Sequence, residues 1–391
     1  MTARSGAGSA VQGPVGVGLI GAGNISDEYL TGLRAALDVR VLGIADLDTG
    51  RAAAQAERHG VPFSGGVTEL LSRADIELVV NLTIPAVHAE VSLQALGAGK
   101  HVWTEKPLAL DRAAARRVLE AARDRSLLVG NAPDTVLGEG IQTSQALLDA
   151  GRIGAPQTLL TLMQGPGPDG WHPRPQFLFE PGAGPLFDIG PYYVTTMVQL
   201  LGPVVSVQAL GHRARDERVI GSGPDAGTTF PVRVDTHLSV LTTFASGVVG
   251  TSIYSFDSPQ RRQLFELTGD SGALRVPVSG FDGPTELLDG EDRTHSWTTE
   301  PARGRPRSRG AGVVDLARAI RTGDPVRCGG ELAYHVLDVL VSIEESASAG
   351  GTPVAVTSTA GRPRPVPPEW DPRHATVTPE PSQTPEREAD R

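Results

Sequence analysis

Three short segments of this chain carry residue types that could bind a nucleotide and move a proton. They are Gly21-Ala22-Gly23-Asn24-Ile25-Ser26, Glu105-Lys106-Pro107 and Asp188-Ile189-Gly190-Pro191-Tyr192. A lysine, a carboxylate and a phenol are suited to taking the proton of an alcohol while a hydride leaves its carbon. Asp188 and Tyr192 are four residues apart, so on a helix both side chains could reach one ligand. By spacing alone, the aspartate could equally be a helix cap and the tyrosine an interfacial aromatic.

The glycine segment follows a short apolar run and precedes a helical pattern, which indicates strand, turn and helix. Gly21 permits a tight turn, and Gly23 allows the backbone to approach a pyrophosphate. The helix that follows offers its positive end to phosphates, so Asn24 and Ile25 are assigned to the same cofactor site. Ser26 replaces the third glycine of this motif and is small enough for the helix to pack closely on the strand.

Asp46 lies 20 residues after Ser26, at the end of the second predicted strand. A carboxylate there can accept hydrogen bonds from the adenosine ribose hydroxyls and would repel a 2′-phosphate. Asp48 adds negative charge, so NAD(H) is favoured over NADP(H), although Arg51 leaves the choice open. The aspartate could instead only begin a turn. This pattern alone also fits a methyltransferase, because other adenosine cofactors are bound in the same way.

The composition limits the classes of partner and compartment. The 391 residues include 45 acidic and 35 basic side chains and have a formal net charge of -10, which disfavours a nucleic-acid partner and suits a small neutral or polar substrate. Cys328 is the single cysteine, and residues 1–14 are too rich in Gly, Ser and Ala for a secretory signal, so we expect a cytoplasmic protein. No run reaches the ~18 apolar residues of a membrane span. We predict no membrane partner and no metal site.

The order of patterns along the chain predicts an α/β protein with two domains. Strands alternate with helices as far as Gly130, which is typical of a doubly wound parallel Rossmann sheet. Longer strand-like runs with turn signals follow, and they predict a large, open, mostly antiparallel sheet with helices on one face. We place the NAD(P)-binding domain at residues 14–132 and a substrate and oligomerisation domain at residues 133–357. Residues 1–13 and 371–391 have the composition of disordered tails, and residues 301–312 that of an exposed loop.

Two further segments make a family resemblance specific. They read Thr83-Ile84-Pro85-Ala86-Val87-His88 and Gly99-Lys100-His101-Val102, and Glu105-Lys106-Pro107 follows the second. The chain resembles the glucose-fructose oxidoreductase, inositol 2-dehydrogenase and MocA (Gfo/Idh/MocA) family of dehydrogenases from about residue 15 to residue 353. The resemblance implies that Lys106 points at the reacting carbon and that Thr83, Pro85 and Glu105 belong to the cofactor site. The peptide bond before the proline of Glu-Lys-Pro is often cis in such proteins. His88 is assigned to the cofactor site as a ligand or base, with packing at the start of its helix as the alternative.

The resemblance also implies roles in the second half of the chain. Family members carry an aspartate and, four residues later, a histidine or tyrosine beside the substrate, which corresponds to Asp188 and Tyr192. Upstream, Trp171 could stack on a sugar and His172 could hydrogen-bond a hydroxyl, or the pair could cover the domain seam. Asn131 lies where members often contact the ligand, in a segment that departs from their aromatic-arginine sequence.

The activity that the resemblance implies is hydride transfer between NAD(H) and a secondary alcohol or ketone of a sugar, inositol or related polyol. Lys106 or Tyr192 would exchange the proton, and Asp188 would orient the substrate. A homodimer or homotetramer through the C-terminal sheet is also implied. Two alternatives stay open: an NAD-dependent redox-assisted glycosidase or eliminase, which would form no net NADH, and a nonenzymatic NAD-dependent sensor. The complete acid/base set favours an enzyme over a sensor.

Overall fold

The computed structural model describes residues 13–278, 280–292 and 294–377. Predicted tail residues 1–12 and 378–391 lie outside the described residues. Within the described ranges, no helix is both long enough and apolar enough to cross a membrane.

The first domain is built on a six-stranded sheet in which every neighbouring pair is parallel. Its strands are β1 (Val15–Ile20), β2 (Val39–Ala45), β3 (Ser64–Gly65), β4 (Leu78–Asn81), β5 (His101–Thr104) and β6 (Val129–Asn131). Their spatial order is β3-β2-β1-β4-β5-β6, so the winding direction reverses between β1 and β4. In doubly wound sheets, the carboxyl ends of the strands at this reversal form the ligand crevice.

Helices cover both faces of this sheet and make its central strands fully buried. They are α1 (Asn24–Leu33), α2 (Thr49–His59), α3 (Val67–Ser72), α4 (His88–Gly97) and α5 (Arg112–Asp124). All residues of β1 and β4 are buried, which explains their continuous apolar sequences. Asp48 and Asp111 begin α2 and α5 with side-chain caps on the backbone amides of Arg51 and Ala114. The prediction of a doubly wound parallel sheet is therefore confirmed.

The second domain contains a nine-stranded sheet and a separate two-stranded ribbon. The strands in chain order are β7 (Pro156–Gln164), β8 (Val204–His212), β9 (Glu217–Val219), β10 (Thr229–Pro231), β11 (His237–Phe244), β12 (Val249–Ser255), β13 (Arg262–Gly269), β14 (Gly272–Arg275), β15 (Thr285–Asp289), β16 (Trp297–Glu300) and β17 (Val354–Ala355). The large sheet has the order β16-β15-β14-β13-β7-β12-β11-β8-β17. Only β7 and β12 pair in parallel within it, so the mostly antiparallel prediction is confirmed.

Four helices accompany the second sheet along the chain. They are α6 (Glu139–Asp149), α7 (Gly184–Leu201), α8 (Ala311–Thr322) and α9 (Gly330–Ser348). Helices α7 and α9 pack on one face of the large sheet and on each other. This packing brings the amino-terminal part of α7 to the crevice of the first domain.

Helix α8 returns to the first domain and packs against β5 and β6. Gly312 permits this contact, because a Cβ there would lie 2.0 Å from the indole of Trp103. Arg318 of α8 then donates to the buried Asp38 carboxylate at 2.8 Å. The predicted boundary at residue 132 thus separates the two sheets, but residues beyond it complete the packing of the nucleotide-binding domain.

Residues 357–377, which we call the C-terminal strap, also cross back to the first domain. The amide of Thr376 donates to Asp38 Oδ1 at 2.9 Å, and the carbonyl of Asp371 accepts from Arg318 Nη2 at 2.8 Å. The prediction of a disordered tail from residue 371 therefore needs correction for residues 371–377. Asp38 of the first domain and Arg318 of α8, which are both buried, hold this segment, although its own composition offers little apolar surface.

Candidate active site

The glycine turn lies at the carboxyl end of β1, in the crevice of the first sheet. Gly21 has a φ of +107°, and a Cβ there would lie 2.6 Å from the carbonyl oxygen of Leu82, so only glycine fits. At Gly23, by contrast, no atom lies within 4 Å of an added Cβ. Helix α1 starts with Asn24 and Ile25 directly after this open backbone. The turn can therefore present unobstructed amides and a helix N-terminus to an anion.

Asp46 follows β2 and lies beside the glycine turn. Its Oδ2 accepts the amide of Ala22 at 2.7 Å, and its Oδ1 accepts the amide of Asp48 at 2.9 Å. Arg51 lies 4.0 Å from the Asp46 carboxylate and 3.6 Å from that of Asp48. An open backbone next to a carboxylate fits the pyrophosphate and ribose of a dinucleotide.

The segment after β4 is anchored by a buried asparagine and a buried histidine. Asn81 Oδ1 accepts the hydroxyl of Thr83 at 2.6 Å. His88 is 1% exposed, with its Nε2 2.9 Å from the carbonyl of Thr83 and its Nδ1 2.7 Å from that of Pro107. Both ring nitrogens thus face backbone oxygens, and burial lowers the pKa of His88. The structure places this side chain at the start of α4 as a link between two loops, with Pro85 between Thr83 and His88.

Glu105 is buried at the carboxyl end of β5, where a short chain of hydrogen bonds holds its carboxylate. Its Oε1 accepts the hydroxyl of Tyr29 at 2.8 Å, and that hydroxyl accepts the indole N–H of Trp103 at 3.0 Å. Its Oε2 accepts the backbone amide of Lys106 at 3.1 Å. The peptide bond between Lys106 and Pro107 is cis. Sequence reasoning missed Tyr29 and Trp103, which fix the carboxylate beside the lysine.

Lys106 joins the two domains at the crevice. Its Nζ lies 2.8 Å from Asp188 Oδ1 and 2.5 Å from the Asp188 backbone carbonyl. The same Nζ is 5.4 Å from the centroid of the Tyr192 ring. The three residues that were assigned to catalysis therefore meet in one place. Helix α7 begins at Gly184 after the N-cap residue Ala183, so Asp188 lies in the second turn and is not the helix cap that spacing alone allowed.

The charges in this group follow from burial and from the ion pair. Burial opposes the charge of Lys106, but the carboxylate of Asp188, together with Tyr192 and Glu105, outweighs it and raises the pKa of the lysine. Burial also raises the pKa of Tyr192, with the ammonium opposing this shift. At neutral pH the group therefore holds an ammonium and a neutral phenol.

A cavity of about 520 Å³ opens over these residues. Its first-domain side includes Ile25, Thr83, Pro85, Glu105 and Lys106. Its second-domain side includes Asp188 and Tyr192 and is otherwise mainly apolar. The volume falls in the range of small-molecule sites.

The three predicted substrate residues lie outside the lining of this cavity. Trp171 is 61% exposed, and its ring packs edge-on against His172, whose ring packs against Phe177. Phe177 itself lines the cavity. Asn131 is buried, and its amide donates to the backbone carbonyls of Thr104 and Glu105 at 2.9 and 3.0 Å. Trp171 and His172 thus reach the cavity through Phe177, and Asn131 through the backbone of Thr104 and Glu105.

The predicted exposed loop at residues 301–312 is instead partly buried between the domains. Arg307 is 7% exposed and donates to the carbonyl of Leu137 at 2.9 Å. Arg309 Nη1 lies 3.2 Å from Asp134 Oδ1, and Asp134 is fully buried. The prediction of a solvated loop holds for residues 301–306, which are exposed, and is wrong for Arg307 and Arg309, because these arginines have acceptors on a distant segment of the chain.

Comparisons with known proteins agree with this arrangement. Residues 15–132 match the oxidoreductase family with an NAD-binding Rossmann fold, and residues 141–275 match the GFO/IDH/MocA C-terminal domain. The 1,5-anhydro-D-fructose reductase of Ensifer adhaerens is 30% identical over 264 residues, which are 66% of this chain and 74% of that protein. The dTDP-3,4-didehydro-2,6-dideoxy-alpha-D-glucose 3-reductase of Streptomyces antibioticus is 30% identical over 266 residues, with 66% and 74% covered.

Solved structures show the same fold. A levoglucosan dehydrogenase in complex with NADH and levoglucosan has a TM-score of 0.74 at 22% identity, covering 88% of this chain and 99% of that one. The paired domain matches and the sequence relatives define the family. This chain belongs to the Gfo/Idh/MocA family of oxidoreductases, with an NAD-binding Rossmann domain and the family's C-terminal domain.

Proposed function

We propose that this protein transfers a hydride between NAD(H) and a secondary alcohol or ketone of a sugar or related polyol. The observation that carries the proposal is the 2.8 Å ion pair between Lys106 and Asp188, beside Tyr192 on a cavity wall. This cavity lies at the carboxyl edge of a nucleotide-binding sheet, where a proton-exchanging group can act on a bound substrate. Two relatives are named as reductases of sugar derivatives, which supports the same class.

The cofactor site that we propose consists of backbone amides for the phosphates and a carboxylate for the ribose. The amides after Gly23, including those of Asn24 and Ile25, would hold the pyrophosphate, and Asp46 would accept the ribose hydroxyls. Bound NAD(H) supplies the hydride donor or acceptor. NAD(H) is favoured over NADP(H) because a carboxylate repels a 2′-phosphate.

Arg51 does not reverse this preference. It lies 3.6 Å from Asp48 and 4.0 Å from Asp46, so two carboxylates already face its charge. Thr83 and Pro85 line the same cavity as Lys106, and we assign them to the nicotinamide side. We assign His88 to the support of this segment.

Lys106 is the proton carrier in this proposal. When a ketone is reduced, its ammonium donates a proton to the carbonyl oxygen, and in the reverse direction the neutral amine takes the hydroxyl proton. Tyr192 keeps its proton and donates a hydrogen bond to the same oxygen. Asp188 holds the lysine and accepts a hydrogen bond from a neighbouring hydroxyl. General acid/base catalysis of this kind contributes about 10²- to 10⁴-fold.

A substrate screen tests the proposed activity. The purified protein is mixed with NAD⁺ and a panel of sugars, inositols and cyclic diols, or with NADH and their keto forms, and NADH absorbance is followed. We expect NADH to appear or disappear in stoichiometry with product. Product without net NADH would identify the redox-assisted eliminase or glycosidase instead. Cofactor binding without turnover of any compound would contradict the oxidoreductase proposal.

We also propose that the uncovered face of the large sheet forms a homo-oligomer. Leu160, Thr251 and Leu241 lie in one row across β7, β12 and β11. Both leucines are exposed. Burial of such a row against a second copy would remove apolar surface from water. The expected result is that Leu241→Glu lowers the sedimentation coefficient, whereas the control Val219→Glu, on the separate ribbon, does not.

A cytoplasmic location completes the proposal. Cys328 is the single cysteine of the sequence and is a buried free thiol, so the chain uses no internal disulfide, as is usual in a reducing compartment. Fractionation of cells that express the protein tests this location.

A further inference from the structure

One wall of the active-site cavity has almost no hydrogen-bonding side chains. We call it the apolar wall, and it consists of Leu110, Phe177, Leu178, Pro181 and Phe187. Three separate segments supply it: the loop after β5, residues 177–181 and the start of α7. Phe177 is 44% exposed, so its ring has apolar surface available to a ligand.

The polar groups that line the rest of the cavity are mostly engaged with the protein itself. The ring nitrogens of His88 face two backbone carbonyls, and both oxygens of Glu105 accept protein hydrogen bonds. Glu180 lies on the rim of the apolar wall and is paired with Arg233 at 3.2 Å. These groups therefore add few free partners for substrate hydroxyls.

The remaining free groups are grouped on one edge. Lys106 and Asp188 are paired with each other but keep unused donor and acceptor positions. The hydroxyl of Tyr192 forms no hydrogen bond within the part of the chain that the structure describes. The edge formed by Lys106, Asp188 and Tyr192 can thus bind two neighbouring oxygens, while the apolar wall can bind only carbon.

We infer that the substrate is a ring with two adjacent oxygens on one edge and unhydroxylated carbons where it meets the apolar wall. This class comprises cyclic vicinal diols, deoxygenated sugars and their hydroxyketones. The inference rests on the proposed function and narrows its substrate. A hydroxyl that is pressed against the apolar wall would lose its water without gaining a partner. Such a hydroxyl reduces kcat/KM by on the order of 100-fold.

Two six-membered carbocycles, trans-cyclohexane-1,2-diol and myo-inositol, test this inference. Both carry adjacent hydroxyls, but the other ring carbons are unhydroxylated in the diol and hydroxylated in inositol. The full-length protein is assayed with NAD⁺ for kcat/KM, and each compound is titrated into the protein with saturating NADH for affinity. We expect the diol to exceed inositol by about 100-fold in both measurements. Phe177→Gln should reduce this ratio at least tenfold, whereas the matched variant Phe177→Leu should preserve it.

The outcomes separate this inference from the proposed function. Equal or stronger binding or turnover of inositol would overturn the apolar-faced substrate and leave the oxidoreductase proposal intact. Absence of binding by both compounds would also overturn it. Selective binding of the diol without turnover of any compound in the substrate screen would support the recognition and overturn the proposed hydride transfer.

Discussion

Asp134 and Arg309 form a buried ion pair across 175 positions of the chain, with 3.2 Å between Oδ1 and Nη1. The other carboxylate oxygen accepts the backbone amides of Gly310 and Gly312 at 2.9 and 3.2 Å. This pair fixes the start of α8 beside β6, and so connects the second half of the chain to the nucleotide-binding domain.

Removal of the arginine should be strongly destabilising. In Arg309→Met, the fully buried Asp134 loses its counter-charge, and we expect the free energy of unfolding to fall by about 3–5 kcal/mol. Urea denaturation measures this loss. The double variant Asp134→Asn, Arg309→Met should recover part of it. A loss below about 1 kcal/mol in the single variant would contradict this role of the pair.

His88 should support cofactor binding without touching substrate. His88→Phe removes the link between the Thr83 and Pro107 carbonyls, and we expect the KM for NADH to rise about tenfold. The control is His101→Phe, because His101 is a half-buried histidine of the same domain, at the start of β5, and accepts the amide of Leu128 at 2.9 Å. That control should lose stability with little change in KM. Similar KM values in both variants would reject the link.

The attachment of the C-terminal strap to Asp38 should weaken at acid pH. Burial opposes the charge of Asp38, but hydrogen bonds from Thr376, Val377 and Arg318 outweigh it and lower its pKa. A lowered carboxyl pKa stabilises the fold above the unfolded value of ~3.9, and this contribution is lost as the pH falls through the folded value. Asp38→Asn should therefore be less stable than the parent protein at pH 7.

Denaturation at a series of pH values checks the role of Asp38. The difference in unfolding free energy between Asp38→Asn and the parent should shrink as the pH falls below ~3.9. A difference that stays constant from neutral pH to strong acid would show that the carboxylate charge does not hold the strap.

Asp46 should determine cofactor preference. Asp46→Arg replaces a carboxylate near the ribose site with a cation, so the NADP(H) to NAD(H) ratio of kcat/KM should rise about 10- to 100-fold. Asp48→Asn is the matched control, because it removes a neighbouring charge while keeping a residue that can cap α2. An unchanged ratio in Asp46→Arg would remove this aspartate from the proposed cofactor site.

The elements whose signals are local could be predicted from the sequence. β1 and the glycine turn combine a buried apolar run with a position where only glycine fits, and both signals are visible within ten residues. The convergence of Lys106 with Asp188 is not visible in this way, because spacing alone leaves open whether Asp188 reaches a ligand or caps a helix. The family resemblance implies that Asp188 lies beside the substrate near Lys106. The contact itself depends on how α7 packs against the first domain.

The burial of Arg309 and the residues of the cavity wall could not be predicted, because they depend on contacts between segments that are distant in the chain. The residues next to Arg309 in the sequence are typical of a solvated loop. Its partner Asp134 precedes all strands of the second sheet in the chain. Trp171 and His172 have the right chemistry for a sugar site, but they form an aromatic row that ends at Phe177. Of these three aromatic residues, only Phe177 lines the cavity. Its sequence does not distinguish it from the other two, because the difference depends on where the folded loop lies.

The turnover of Lys106→Met, compared with that of Lys100→Met, tests most directly whether Lys106 moves the proton. Lys100 is a second buried lysine of the same domain, and its Nζ donates to the carbonyl of Arg73 at 2.8 Å. We expect Lys106→Met to lose about 10²- to 10⁴-fold in kcat with the affinity for NADH retained, and Lys100→Met to keep its kcat. If Lys106→Met turned over substrate at the parent rate, the proposed proton transfer would be refuted.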